Sequence, residues 1–122
     1  SFDTLLGVYL GSAVDRVHTA LHGHLRALCV AESITVPEGD PSITVLLKVL
    51  RENHPRFKET VAFSDEARRM IMSMSTALDA LNTIRNHASL AHANEALLGD
   101  PEAHLAIDSA RTVFRYVDAK VA

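Results

Sequence analysis

Residues 83–92 read Thr-Ile-Arg-Asn-His-Ala-Ser-Leu-Ala-His and bring together side chains suited to phosphate chemistry. Arg85 offers a planar fork of donors that can hold a phosphate and stabilise charge added in a transition state. His92 ionises near neutral pH and can give or take a proton. Asn86 can orient a phosphate or a ribose hydroxyl. RNA is cut without metal when a base removes the 2′-hydroxyl proton and an acid protonates the leaving oxygen, and His serves either role. One His does not easily serve both in a single step. That favours two copies of the site facing each other in a homodimer.

Spacing alone is a weak signal. With nine Arg and seven His in 122 residues, an Arg followed by a His after four to six intervening residues is expected by chance about once or twice. Arg16 and His22 form a second such pair. Helical periodicity separates the two. At about 100° per residue, Met70, Met74, Ala77, Leu81, Ile84 and Ala88 cluster within about 40° of one direction and define the expected core face. With Met70 at the origin, Arg85 falls at about 60° and His92 at about 40°, inside the edge of that stripe. His87 falls at about 260° and is expected in solvent. Arg16 and His22 lie about 120° apart and share no face. A charged Arg at a core edge is costly unless something pairs with it, which favours a site. The competing reading is a structural ion pair of Arg85 with Asp15 or Asp79, and a core or helix-terminal role for His92.

The other histidines raise the question of metal. Asp15, His18 and His22 lie beside the apolar stripe of the first helical segment; they read either as ordinary polar-edge residues or, together with Ser89, as residues bordering the cleft. His18 and His22 have the i, i+4 spacing that can hold one ion, but no further ligand is evident. There is no His-Glu-x-x-His run, and the paired Glu-x-x-His pattern of a di-iron bundle is missing. No metal and no cofactor are expected. His24, His54 and His104 read as surface or loop residues. Met72 and Leu90 share a line outside the expected core stripe, both at about 200° on the same wheel, and hint at an interface.

Four helical segments must position these residues. The first covers 4–31, with Val14, Val17, Leu21, Leu25 and Leu28 on one face and Gly7 and Gly11 weakening its start. Pro37 and Gly39 mark a loop. Asp40-Pro41 is a helix start, with Asp at the cap and Pro at the first turn, and the second helix runs to Asn53 before Pro55. A connector over 54–63, with room for a short helical turn, leads to a third helix from Ser64 or Asp65 to His92. Asp100-Pro101-Glu102 repeats the start signal for a last helix ending near Lys120. No strand pattern or repeat intervenes, and the expected fold is an all-α, four-helix antiparallel bundle occupying 1–122 as one domain.

Composition agrees. Hydrophobic residues make up 48% and aromatics only 5%, which favours helices over a β-sandwich. The net charge of −3 provides no global field for nucleic acid, so any such site is local. A lone Cys29 excludes an internal disulfide and suits the cytoplasm. No signal peptide is visible, and no apolar run is long enough for a membrane span. The Ser-Phe start is read as a processed chain or a domain excised from a longer protein.

The Arg-Asn-x-x-x-x-x-His run late in a four-helix domain resembles the signature of the HEPN superfamily. The stretches RVHTALHGHL, SITVLLKVLRENHP and LNTIRNHASLAHANEALLGDPEAHLAIDSARTVFRYVDAKV resemble the abortive-infection protein C-terminal domain family over nearly the whole chain, most specifically at 81–94 and 101–117. The resemblance implies a metal-independent endoribonuclease, usually dimeric, with Arg85 and His92 of both protomers in one cleft. It also implies RNA as substrate, a toxin or phage-defence role, and an upstream sensor domain or cognate antitoxin as partner. The family often has Gly after the motif His, where this chain has Ala93. The alternative is a dimerisation or sensor module that keeps the fold without catalysis.

Overall fold

The computed structural model describes the backbone of residues 2–91 and 99–122, and the side chains of 12–84 and 99–122. All of its regular structure is helical: α1 (Phe2–Ala31), α2 (Ile43–Asn53), α3 (Pro55–Lys58), α4 (Ser64–Ala91) and α5 (Asp100–Val121). No strand occurs among the described residues. The four long helices form the bundle. α1 packs chiefly on α2 and α5, α4 packs on the same two, and α1 meets α4 only slightly, so α1 and α4 occupy opposite corners.

Local chemistry explains most of the boundaries. α1 ends in a two-bond cap in which the Ser33 N–H donates to the Val30 carbonyl (3.1 Å) and the Ile34 N–H to the Cys29 carbonyl (2.8 Å). This cap requires a left-handed residue, and Ser33 supplies it at φ 54°. Glycine takes that conformation without a Cβ clash. Ser33→Gly is therefore expected to raise the unfolding free energy by about 0.5–1 kcal/mol, net of the extra freedom glycine gives the unfolded chain. Urea titration would show it as a higher midpoint at unchanged slope.

The start of α2 differs from the Asp40-Pro41 expectation. Ser42 is the N-cap, its hydroxyl accepting from the Val45 N–H (3.2 Å), and Pro41 is buried ahead of it. A second cap reaches across the bundle. The Asp79 carboxylate on α4 accepts from both the backbone N–H and the hydroxyl of Thr44, satisfying a first-turn donor that α2 cannot pair internally. Asp79, a candidate partner for Arg85, is thus engaged with α2.

The core is aliphatic. Leu21, Leu25 and Cys29 of α1 meet Ile43, Leu46, Leu47 and Leu50 of α2, Ile71 and Leu78 of α4, and Ala103, Ala106, Ala110, Val113 and Val117 of α5. The alanines let α5 approach its neighbours closely. Burial pushes the Cys29 thiol pKa up, so the sulfur stays protonated and unreactive.

The core face of α4 differs in part from the expected one, although Met74 and Leu81 do pack against the core. Met70 and Ile84 are 63% and 55% exposed, whereas Ile71, Ser75 and Leu78 are buried and Met72 packs against the core. Ser75 hides the true stripe from any count of apolar residues. Its hydroxyl donates to the Ile71 carbonyl one turn back (3.0 Å), so it enters the core without an unpaired polar group. Met72 therefore belongs to the core, not to an exposed interface line.

Candidate functional site

α4 carries Arg85, Asn86 and Ser89 near its C-terminal end. Its backbone is helical through positions 85, 86 and 89. The side chains of Arg85, Asn86, His87, Ser89 and Leu90, and the whole of His92, lie outside the described residues, so the expected cleft geometry is not on view.

The α1 candidates are described. Asp15 is exposed and His18 half-buried, and each makes contacts of its own. His22 has a local task. Its Nε2 lies 2.7 Å from the Pro41 carbonyl oxygen, and since a carbonyl only accepts, Nε2 carries the proton and donates. The same nitrogen is 3.6 Å from the Asp40 carboxylate. His22 thereby fastens α1 to the residues leading into α2. Among the described residues, no group of three His, Cys, Asp or Glu is arranged to hold a metal ion.

Of the histidines read as surface or loop, His54 lies in the break between α2 and α3 but is buried, and His24 is on α1 and half-buried. His54 is only 4% exposed. It closes α2 by donating its N–H to the Leu50 carbonyl and opens α3 by accepting the Arg56 N–H at Nδ1 (3.1 Å). Nε2 then bears the neutral ring's proton and faces Glu32 at 3.7 Å, while Phe57 meets the ring edge-on at 6.2 Å between centroids. Its neighbour Pro55 supplied a signal for the break, but not for the burial. His54→Ala is expected to cost about 1–2 kcal/mol in thermal or urea unfolding. His54→Asn, which keeps a capping acceptor, is expected to cost less.

His24 is half-buried and stacks on Phe114 with centroids 4.4 Å apart. His104 is exposed as expected and pairs with Asp100 at 3.2 Å across one turn. Such an exposed pair contributes little to stability.

A cleft at the far end of α4 has no counterpart in the sequence reading. It has a volume of about 380 Å³ and lies between the ends of α2 and α5, α3 with its following loop, and the first turns of α4. Its floor is apolar and its rim carries both cations and carboxylates. No single motif marks it in the sequence, because its walls come from three separate stretches of chain, 47–51, 57–72 and 116–120.

No helix among the described residues is long and apolar enough to cross a membrane. A family model, Abi_C, described as a HEPN-like domain, matches residues 10–120. Neither the curated proteins nor the solved structures contain a match to this chain.

Proposed function

Because the chain belongs to the Abi_C family of HEPN-like domains, we propose that it is a metal-independent endoribonuclease module of an abortive-infection system, acting through Arg85, Asn86 and His92. The observation that carries this reading is the Arg-Asn-x-x-x-x-x-His run, which begins near the C-terminal end of α4, in a domain of this family. The corrected register supports it. The buried stripe of α4 runs through Ile71, Ser75 and Leu78, and the 3.6-residue repeat carries it on to backbone positions 85 and 89 of the same helix. A charged residue at such a position needs a partner or a substrate to offset its desolvation.

In the proposed reaction, one imidazole takes the proton of a ribose 2′-hydroxyl. The freed oxygen attacks the adjacent phosphorus, closing a 2′,3′-cyclic phosphate. The 5′-oxygen leaves with a proton from a second imidazole. Arg85 holds the non-bridging oxygens as charge builds on them, and Asn86 orients the phosphate or the ribose. Two protomers provide the two imidazoles, so the active species is a homodimer. The acidic net charge of −3 means that RNA is attracted by this local arrangement rather than by the whole surface.

The test is cleavage of a mixed RNA pool by the purified chain, with the oligomeric state measured in parallel. Cleavage products ending in a 2′,3′-cyclic phosphate and a dimer are expected. Activity is expected to persist in excess EDTA, because no step needs an ion. Loss of cleavage on chelation, restored by one added metal, would overturn the mechanism. A folded dimer that cuts no RNA would identify a non-catalytic sensor or dimerisation module.

A further inference from the structure

His54 is a buried titratable group that the proposed RNA chemistry leaves unused. It is 4% exposed and joins α2 to α3. Its hydrogen bonds fix its protonation state. Nδ1 accepts the Arg56 N–H at 3.1 Å, so that nitrogen carries no proton and the ring's proton is on Nε2. A second proton can enter only at Nδ1, where it would point at another N–H. The ring is therefore neutral wherever this cap exists.

His22 and His104 provide the contrast. His22 donates from Nε2 to the Pro41 carbonyl, and that bond survives when a proton is added at Nδ1. His104 is exposed and keeps Asp100 beside it in either state. Of these three, only His54 cannot be charged without losing a hydrogen bond of the fold.

The bond at stake holds one wall of the cleft. α3 is a single turn and has no stability of its own. It hangs from His54, whose side chain accepts from Arg56 and whose carbonyl accepts from the Phe57 and Lys58 N–H groups at 3.1 and 3.2 Å. Residues 57–61 then line the cleft. The Phe57 ring meets the His54 ring and the Tyr116 ring of α5, each with centroids 6.2 Å apart. A change at His54 thus reaches the cleft through one aromatic contact.

A charged ring has a partner within reach. Glu32, just beyond α1, places Oε1 3.7 Å from Nε2, and its side chain is 44% exposed. The elements packed here carry further groups. On α2, Arg51 approaches Glu52 at 4.0 Å, and on α3 Arg56 approaches Glu59 at 3.4 Å. Lys58, together with Tyr116 and Lys120 of α5, lines the cleft. The two lysines oppose a cation on the ring, and Glu32 favours it.

We propose that His54 is a proton-operated latch on this cleft. With the ring neutral, α3 is capped and the wall formed by 57–61 is held in place. When Nδ1 takes up a proton from solvent, the Arg56 N–H loses its acceptor, the imidazolium pairs with Glu32, and the wall is released. The sign follows from linkage. The released state binds one more proton, so falling pH favours it and rising pH restores the latch. The proposal does not depend on RNA cleavage by Arg85 and His92.

The test is a set of ¹H–¹⁵N and imidazole spectra of the whole chain between about pH 8 and about pH 5, the span in which imidazoles ordinarily titrate, with helicity followed by circular dichroism. At the upper end the His54 ring is expected as the Nε2–H tautomer. As the pH falls, one transition is expected to charge the ring and to shift the signals of residues 56–61 and 116 together. In that transition the protection of the Arg56, Phe57 and Lys58 amides, relative to their intrinsic exchange rates, is expected to fall about 5–30-fold, the factor that a lost cap corresponds to. Overall helicity is expected to persist. Glu32→Gln is expected to move the transition to lower pH by removing the cation's partner. His54→Asn, which keeps a capping acceptor but does not titrate, is expected to abolish it. The proposal is overturned if His54 charges with no response at 56–61, or if it stays neutral until helicity is lost. It is also overturned if Glu32→Gln leaves the midpoint unchanged or raises it, or if the response at 56–61 persists in His54→Asn.

Discussion

His92→Ala is expected to lower the rate of RNA cleavage by about 10²–10⁴-fold, the typical contribution of a positioned acid or base. Arg85→Ala is expected to lower it by about 10²–10³-fold, because the guanidinium is proposed to stabilise charge that appears only in the transition state. The double variant should lose less than the product of the two effects, since both act on one reacting phosphate. His87→Ala is expected to match the unsubstituted protein, as position 87 lies about 200° round α4 from position 85. The measurement is initial rate on a mixed RNA pool, with helicity followed by circular dichroism and dimerisation by sedimentation. The enzyme reading requires that Arg85→Ala and His92→Ala stay folded and dimeric while losing rate. Loss of helicity or dimerisation in both variants, with no cleavage by the parent protein, would assign the two residues to scaffold.

Leu46→Ala carries the largest expected effect on stability. Leu46 is fully buried in α2, which at 11 residues is the shortest of the bundle helices yet packs on both α1 and α4. An isolated helix of that length is barely stable in water, so α2 depends on its packed face. Truncating Leu46 removes apolar contacts and opens a cavity that the surrounding helices fill only in part. The expected loss is about 2–5 kcal/mol, out of a total that for a domain this size is about 5–15 kcal/mol. Val45→Ala, one residue away on the exposed side, is expected to change stability by less than about 1 kcal/mol. Urea unfolding of the three proteins separates them by midpoint. A Leu46→Ala loss no larger than that of Val45→Ala would show that the α2 face does not hold the bundle.

What the residues alone determined is local. Pro55, Asp100-Pro101 and the Gly39 loop placed the helix ends within a few residues, because caps and breakers act on the backbone beside them. The buried face of α1, with Val14, Leu21 and Leu25, followed from its spacing, since its stripe is purely apolar. The Arg85, Asn86 and His92 set was legible as residue type and interval, and residues 10–120 belong to the family that the same pattern resembles. Tertiary packing decided the rest. α4 buries Ser75 rather than Met70, because a Ser that bonds its own helix can occupy a tight contact that hydrophobicity does not predict. His54 is buried and His22 is tied to Pro41 because segments well separated in the chain converge there. Asp79 caps α2 across 35 residues of sequence, and three stretches of chain close the cleft around Arg51 and Phe63. Each of these depends on which helices become neighbours, and periodicity within one helix carries no record of that.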